Sequence, residues 1–529
     1  MSQTNMTETY DLVVVGSGWF GLAAARAYIQ NHPHERIAIL ESNETVGGTW
    51  SKARLYPGLK SNNMLGSYEY PDFPMHPKVY GVSPGGHIPG AVLNRYLTDF
   101  ARHFGILEHL QFQTTVSVVE PTPTDGWRLT AETLNGQKVV ETSKLILATG
   151  LTSTPNMPVY VGAEQFDKPF FHAKDFCTMA PKLKDVKDAV VVGGAKSAFD
   201  VAYAMVESGA KVDLIIRPNG HGPVWIASRY VTPLKKRIDT ILNHKFWKVL
   251  GGDVLTANQY ESHPELMKLQ PWHPVFWIGS GLSILNYDTS FFDMVKQGKV
   301  RVHVENIDRL EPGKVVLTFG TTLEADTLIC STGWKKESTI KFKTLKPDDL
   351  SLRFSEEEQA LVNAQFDKKV LDMFPILAQQ PELRFQPPPA NPLRNYRFIV
   401  PSAYLEKRNL AHAGMISSVS TAICAAAQGM WISAHFDNKL DRVARTREEV
   451  IHEVMLHTQW GKWRYPCGYG ASLPDFVFEG IPYVDMLLKD LGVNNHRKDS
   501  FIAELTSPYT PKDYAGVYDE WSDKHPLVK

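Results

Sequence analysis

The chain has 529 residues, 43% of them hydrophobic, 21% charged and 11% aromatic, enough apolar material for roughly two to four domains and too much for a disordered chain. A formal net charge of -1 gives no general attraction to nucleic acid or to an anionic membrane. Cys177, Cys330, Cys424 and Cys467 form no C-x-x-C pair, which argues against a zinc framework and against the dithiol centre of a disulfide reductase.

The opening MSQTNMTETY has no basic segment and enters a strand directly, so no signal peptide is expected. No stretch approaches the roughly 18 uninterrupted apolar residues of a membrane span. A cytoplasmic protein without a membrane anchor is the expectation, and a homo-oligomer is left open.

Asp11 to Glu41 reads as strand, glycine turn, helix and strand. Gly16-Ser17-Gly18-Trp19-Phe20-Gly21 fits G-x-G-x-x-G. The first glycine makes the turn, the second admits a pyrophosphate, and the third lets helix and strand pack closely. The helix N-terminus offers N–H groups and partial positive charge to phosphates. Glu41 closes the second strand, where a carboxylate accepts ribose hydroxyls and repels a 2′-phosphate. Residues 47–90, rich in Gly, Pro, Tyr and Asn, read as an irregular segment over a ligand. A helix is expected near 90–104, then strands from 111 to 150 with a two-residue hairpin turn at Asn135-Gly136. KLILATG ends that region.

A second strand, turn, helix and strand spans 189–217. Its turn, Gly193-Gly194-Ala195-Lys196-Ser197-Ala198, places alanine at the second and third glycine positions, so Ala195 must still admit a phosphate. Lys196 offers a point charge to a pyrophosphate or 2′-phosphate, with Ser197 beside it. Arg217 stands where Glu41 stood in the first unit, and its fork suits a 2′-phosphate. The reversal of charge implies two nucleotides, the first without a 2′-phosphate and the second with one. FAD and NADPH are the natural pair. Further on, 235–298 reads as mostly helical, and strands from 299 to 330 end in DTLICSTGW. A Pro-rich stretch at 345–400, a small-residue helix at 418–436 and an aromatic tail from 460 complete the chain.

Six further motifs follow in order: GGTW at 47–50, YPGLKSNN at 56–63, YPDFP at 70–74, ATGLTSTP at 148–155, FDKPFFHAKDF at 166–176 and STGW at 331–334. With the two glycine turns they resemble the class B flavin-dependent monooxygenases, close to the flavin-containing monooxygenases. HGPVW at 221–225 and NYD at 286–288 resemble fungal FAD-dependent monooxygenases of secondary metabolism. The resemblance covers most of 8–335 and thins afterwards.

It implies an α/β fold of two Rossmann-like dinucleotide-binding domains, the NADPH domain inserted into the FAD domain, with a mainly helical insertion. The expected limits are 1–155 for the first part of the FAD domain, 156–335 for the NADPH domain with its insertion near 235–298, and 336–529 for the second FAD part and C-terminal extension. By resemblance, Glu41 holds the FAD ribose and Gly48, Thr49 and Trp50 line the flavin. Thr149 and Gly150 mark the outward crossing between domains, and Thr332 and Gly333 the return. The family fingerprint falls on Phe166, His172 and Phe176, with Lys168 in place of its glycine. His172 takes a positioning role, a plain linker histidine being the alternative. Gln428 and Trp431 resemble a pair on the family's C-terminal FAD helix, whose arginine and glutamate are replaced by Met430 and Ala426.

Asn62 falls where flavin-containing monooxygenases carry an asparagine and Baeyer–Villiger enzymes an aspartate. An amide can donate to a flavin C4a-hydroperoxide without adding charge. Asn62 therefore favours oxygen transfer to N, S or electron-rich carbon, and the bland alternative is a turn cap. Phe176 agrees, since Baeyer–Villiger fingerprints usually carry tryptophan there. Trp225, Trp272, Trp277 and Trp463 are candidates for a substrate pocket, with burial in the core the commoner fate.

The implied function is an FAD- and NADPH-dependent monooxygenase acting on a small molecule with O2. Three alternatives stand beside it: a Baeyer–Villiger ketone oxygenase, an NADPH-dependent flavin oxidase or reductase, and a nucleotide-binding regulatory flavoprotein. No metal or Ser-His-Asp set is called for.

Overall fold

The computed structural model describes residues 7–227, 260–335, 339–345, 347–386 and 394–524. Leu12, Val13, Val14 and Val15 are at most 6% exposed, as expected of a strand covered on both faces. The strand they close, Glu8–Val15, pairs in parallel with Ile37–Leu40 and with Gly136–Leu147. Leu110–Gln111 extends this sheet on one side; Trp127–Thr133, Thr115–Pro121 and Lys341–Phe342 extend it on the other. Leu410–His412 adds in parallel along the end of Gly136–Leu147. The helix Trp19–Asn31 follows the first strand and is crossed by Thr421–Phe436, the expected small-residue helix. The backbones approach so closely that a Cβ on Gly429 would stand 2.6 Å from the Ala23 carbonyl oxygen.

The second sheet is parallel throughout, in the order Phe170–His172, Thr327–Cys330, Asp188–Val192, Lys211–Ile216 and Val300–Val304. All five strands fall in sequence between Gly136–Leu147 and Lys341–Phe342, so this unit is inserted into the first. The doubled grammar of the sequence thus appears as two dinucleotide-binding folds, one within the other.

Two expectations need revision. The hairpin forms, but Thr133 pairs with Gly136, so the loop is Leu134 and Asn135. Gly136, at φ +107°, absorbs the unusual torsion as the first residue of its strand. Of the helical insertion, 228–259 lies outside the described residues. From 261 to 298 the regular elements are the short helices Pro264–Met267 and Phe291–Lys296, one 3-10 turn and the strand Leu282–Ile284. Pro264, Pro271 and Pro274 keep this stretch from continuous helix. The C-terminal tail, in contrast, is well anchored. Trp521 is 1% exposed, and the Tyr518 hydroxyl donates to Asn31 Oδ1 at 2.8 Å. Among the described residues, no helix is long and apolar enough to cross a membrane.

Candidate functional site

The first glycine turn is dictated by backbone contacts. Gly16 has φ +102°, and a Cβ there would stand 2.5 Å from the Ala148 carbonyl oxygen. A Cβ on Gly21 would stand 2.0 Å from the Gly16 oxygen, the close helix–turn packing anticipated for the third glycine. At Gly18 the approaching group is Gly48, whose Cα lies 3.6 Å from a built Cβ. Gly48 belongs to the 3-10 turn Gly48–Trp50, so the two glycine turns face each other.

Neither dinucleotide helix has a side-chain cap: Gly18 starts Trp19–Asn31 and Ala195 starts Lys196–Glu207. Ser355, Thr446, Ser290 and Ser500 each accept a bond from their own helix, whereas Gly90–His103, Thr421–Phe436 and Gly480–Asp490 also lack a side-chain cap. At the two glycine turns the first N–H groups are therefore bonded by no capping side chain.

Glu41 is 3% exposed and lies against the first turn. It accepts from Ser17 N at 2.9 Å, Ser17 Oγ at 2.7 Å, and Asn43 N and Nδ2 at 2.8 Å each. A ribose hydroxyl reaching this carboxylate would replace one of the side-chain donors.

The carboxyl ends of both sheets open onto a cavity of about 1790 Å3. Thr149 and Gly150 line it from the first sheet, and Thr332 and Gly333 from the second. Gly193, Gly194, Lys196, Ser197 and Arg217 line it from the second nucleotide unit. Asn62, on Lys60–Met64, and His172 complete the predicted residues on its wall. Gly16, Gly18, Gly21, Glu41, Gly48, Thr49 and Trp50 cluster at the first turn, off this wall.

Several side chains are more committed than the sequence suggested. His172, 5% exposed, donates from Nε2 to the Gly333 carbonyl at 3.0 Å and accepts at Nδ1 from Lys174 N at 3.1 Å. That pattern fixes the neutral Nε2–H tautomer, and burial lowers the imidazole pKa. Lys196 pairs with Asp200 and donates to Asn286 Oδ1 at 3.1 Å. Asn286 in turn donates to the carbonyls of Lys60 and Ser61, at 3.0 and 2.9 Å, directly before Asn62. Asn62 Nδ2 lies 3.4 Å from Ser283 Oγ. Gln428 is fully buried, accepting from Gly414 N at 2.9 Å and donating to the Tyr483 hydroxyl at 2.7 Å. It holds the loop after Leu410–His412 and does not face the cavity. Trp225 and Trp272 line the cavity, whereas Trp277 joins a core cluster.

Arg54, Asn286, Arg394 and residues 466–473 were not singled out by their chemistry in the sequence. Arg54 Nη1 donates to the Thr152 carbonyl at 3.0 Å, and its guanidinium carbon stands 5.0 Å over the Trp334 ring. Burial lowers its pKa. Its only sequence signal is its place just before Tyr56-Pro57-Gly58.

A family model described as pyridine nucleotide-disulphide oxidoreductase matches residues 13–262. An FAD-dependent monooxygenase of Aspergillus nomiae is 30% identical, over 97% of this chain and 98% of its own length. Another, from Pyrenophora dematioidea, is 31% identical over 94% of this chain and all of its own. Among solved structures, Tmm from Pelagibacter sp. superposes with a TM-score of 0.57 at 17% identity, covering 98% of this chain and 91% of its own. Cyclohexanone monooxygenase from Rhodococcus sp. Phi1 bound to NADP+ superposes at 0.62 and 15%, covering 92% and 98%. At those identities the likeness concerns the fold. The full-length matches to the two fungal proteins, on a chain that carries both glycine turns, place it among the FAD-dependent monooxygenases, and it is an oxidoreductase of that family.

Proposed function

We propose that the protein uses FAD and NADPH to transfer one oxygen atom of O2 to a nucleophilic nitrogen, sulfur or electron-rich carbon of a small molecule. One observation carries the proposal: Asn62 shares a cavity with the Gly193–Ser197 turn and with the crossings at Thr149–Gly150 and Thr332–Gly333. When bound, the two cofactors supply the electrons that activate O2. Gly16, Gly18 and Gly21, with the uncapped helix behind them, suit the FAD pyrophosphate. Glu41 suits its ribose once Ser17 Oγ or Asn43 Nδ2 gives way. Gly48, Thr49 and Trp50 would lie along the ring system, and Gln428 supports the site by holding Gly414.

Gly193, Gly194 and Ser197 suit the NADPH pyrophosphate. Arg217 is exposed and has no salt bridge among the described residues, which leaves its fork for a 2′-phosphate. Lys196 supports the turn through Asp200 and Asn286. His172 moves no proton, since both ring nitrogens are committed, and it ties the inserted unit to the return crossing. Asn62 donates N–H without negative charge at the reacting oxygen, which favours electrophilic transfer over attack on a ketone.

The test supplies purified protein with NADPH, 18O2 and either thioanisole or cyclohexanone. Labelled sulfoxide that falls in Asn62→Ala, with a matching rise in peroxide, supports the proposal. Labelled lactone without sulfoxide would establish the Baeyer–Villiger alternative. Stoichiometric peroxide with both substrates would establish an oxidase, and a flavin indifferent to NADPH a regulatory protein.

A further inference from the structure

Among the described residues the cavity wall carries seven lysine and arginine side chains, including Arg54, Arg217 and Arg394, and no aspartate or glutamate. Nucleotide phosphates account for cations near the two glycine turns. Arg394 belongs to neither turn. It lies just before Asn395–Tyr396, and Asn395 bonds His412 at 2.8 Å. His412 is paired in register with Leu147, two residues before Thr149. Arg394 therefore approaches the carboxyl end of the first sheet from the segment 345–410.

Its setting is unusual for arginine. The side chain is 9% exposed, yet its partners are neutral amides: Nη1 donates to Gln359 Oε1, and Nη2 to Asn363 Oδ1 at 2.9 Å. Both amides come from one face of Glu356–Met373 and orient the fork. Nε is buried and has no hydrogen-bond partner. No carboxylate pairs with the guanidinium among the described residues, and the neighbouring stretch 387–393, PPPANPL, contains no acid. Burial lowers the guanidinium pKa with no opposing charge to restore it. A buried cation without a counter-charge is costly, and an anionic ligand group would supply the missing half of the pair. Apolar and aromatic groups, Trp225, Trp272, Phe385, Met415 and Leu473, line other parts of the same cavity.

We propose that Arg394, oriented by Gln359 and Asn363, is the binding site for a carboxylate on an otherwise apolar substrate. This deepens the monooxygenase proposal and rests on it for the word substrate. The binding step itself is independent of oxygen transfer.

The test uses 4-(methylthio)benzoate and its methyl ester, the same thioether with and without the charge. Titration calorimetry on the flavin-loaded protein should find the acid bound about tenfold or more tightly than the ester, as expected for a charge-assisted fork. Arg394→Gln should bring the ratio near unity, and Arg394→Lys should retain part of it. Thermal unfolding and flavin content of both variants report whether they fold. Equal affinities in the wild type, or a ratio untouched by Arg394→Gln, would overturn the site. A variant that loses FAD, or its affinity for NADP+, with the acid-to-ester ratio intact would overturn it in favour of a cofactor phosphate. Sulfoxide formation is then measured separately. Arg394-dependent binding without sulfoxide would sink the oxygen-transfer proposal and leave the anion site standing. Sulfoxide from both probes without Arg394 dependence would do the reverse.

Discussion

The Nε2 of His172 is bonded to the carbonyl oxygen of Gly333 at 3.0 Å, joining the end of one strand of the inserted sheet to the chain's return crossing. Glutamine can donate to that carbonyl, whereas leucine leaves it only the Asn156 N–H at 3.0 Å and removes the acceptor of Lys174 N. His172→Leu should therefore cost about 0.5–1.5 kcal/mol in urea unfolding, and His172→Gln less. If the histidine positions the two units, His172→Leu should also raise the share of NADPH electrons lost to peroxide. A proton-transfer role would make His172→Gln as inactive as His172→Leu, and equal peroxide shares in all three proteins would remove the positioning role.

The three glycines of the first turn separate into two kinds. Gly16 and Gly21 have no room for a methyl group, with carbonyl oxygens at 2.5 and 2.0 Å from the built Cβ. Gly16→Ala and Gly21→Ala should each destabilise the protein by about 1–3 kcal/mol or more. Gly18 has φ -77° and its built Cβ meets Gly48 at an ordinary 3.6 Å. Gly18→Ala should change the stability of the apo-protein by less than about 1 kcal/mol. Its effect should instead appear in flavin retained after gel filtration. Equal losses of stability at all three positions would mean that Gly18 is a packing glycine like the others.

Gly16 and Gly21 were legible in sequence because backbone geometry allows few other residues there, and the same holds for the glycines of the paired ATG and STG crossings. Both valine-rich strands were legible because parallel strands buried on two faces need continuous apolar runs. Lys196 was only half legible. Its pairing with Asp200 is a four-residue helix spacing, but Asn286 arrives from 90 residues further along the chain. Arg394 was not legible, since nothing local reveals whether an arginine will meet a carboxylate or two amides. Gln428 was assigned to the cofactor by resemblance, yet its amide is used within the protein, a distinction made by tertiary packing.

Arg217 and Glu41 close equivalent strands with opposite charge, and the arginine alone is exposed. A fork on a 2′-phosphate contributes about 1.5–3 kcal/mol, so Arg217→Ala should weaken NADP+ binding about tenfold to a hundredfold. Binding of NAD+, which lacks that phosphate, should move by less than about threefold. Equilibrium dialysis against both nucleotides checks this without turnover. Equal weakening of the two would assign Arg217 to the turn or the pyrophosphate.

Histidines shielded by burial make stability depend on pH in a defined direction. Burial holds His412 and His457 down to about 4 and His435 to about 3, from an ordinary value of 6.5, and it lowers His172, His221 and His273 in the same direction. In the unfolded chain these imidazoles take up protons near pH 6.5, while His412, His435 and His457 stay neutral in the folded protein through pH 5. The unfolded state therefore binds more protons as the pH drops below 6.5, and stability falls. The slope approaches about 1.4 kcal/mol per pH unit for each such histidine once the unfolded imidazole is fully protonated. Asp475, Asp490 and Glu69 act in the opposite sense, because burial pushes their carboxyls up and the folded protein takes up their protons before the unfolded chain does. The difference between wild type and His412→Gln isolates His412 from these groups. Urea midpoints measured from pH 6.5 to 5 should fall less steeply in His412→Gln than in the wild type. A flat profile would mean that water or a ligand reaches these imidazoles in the folded protein.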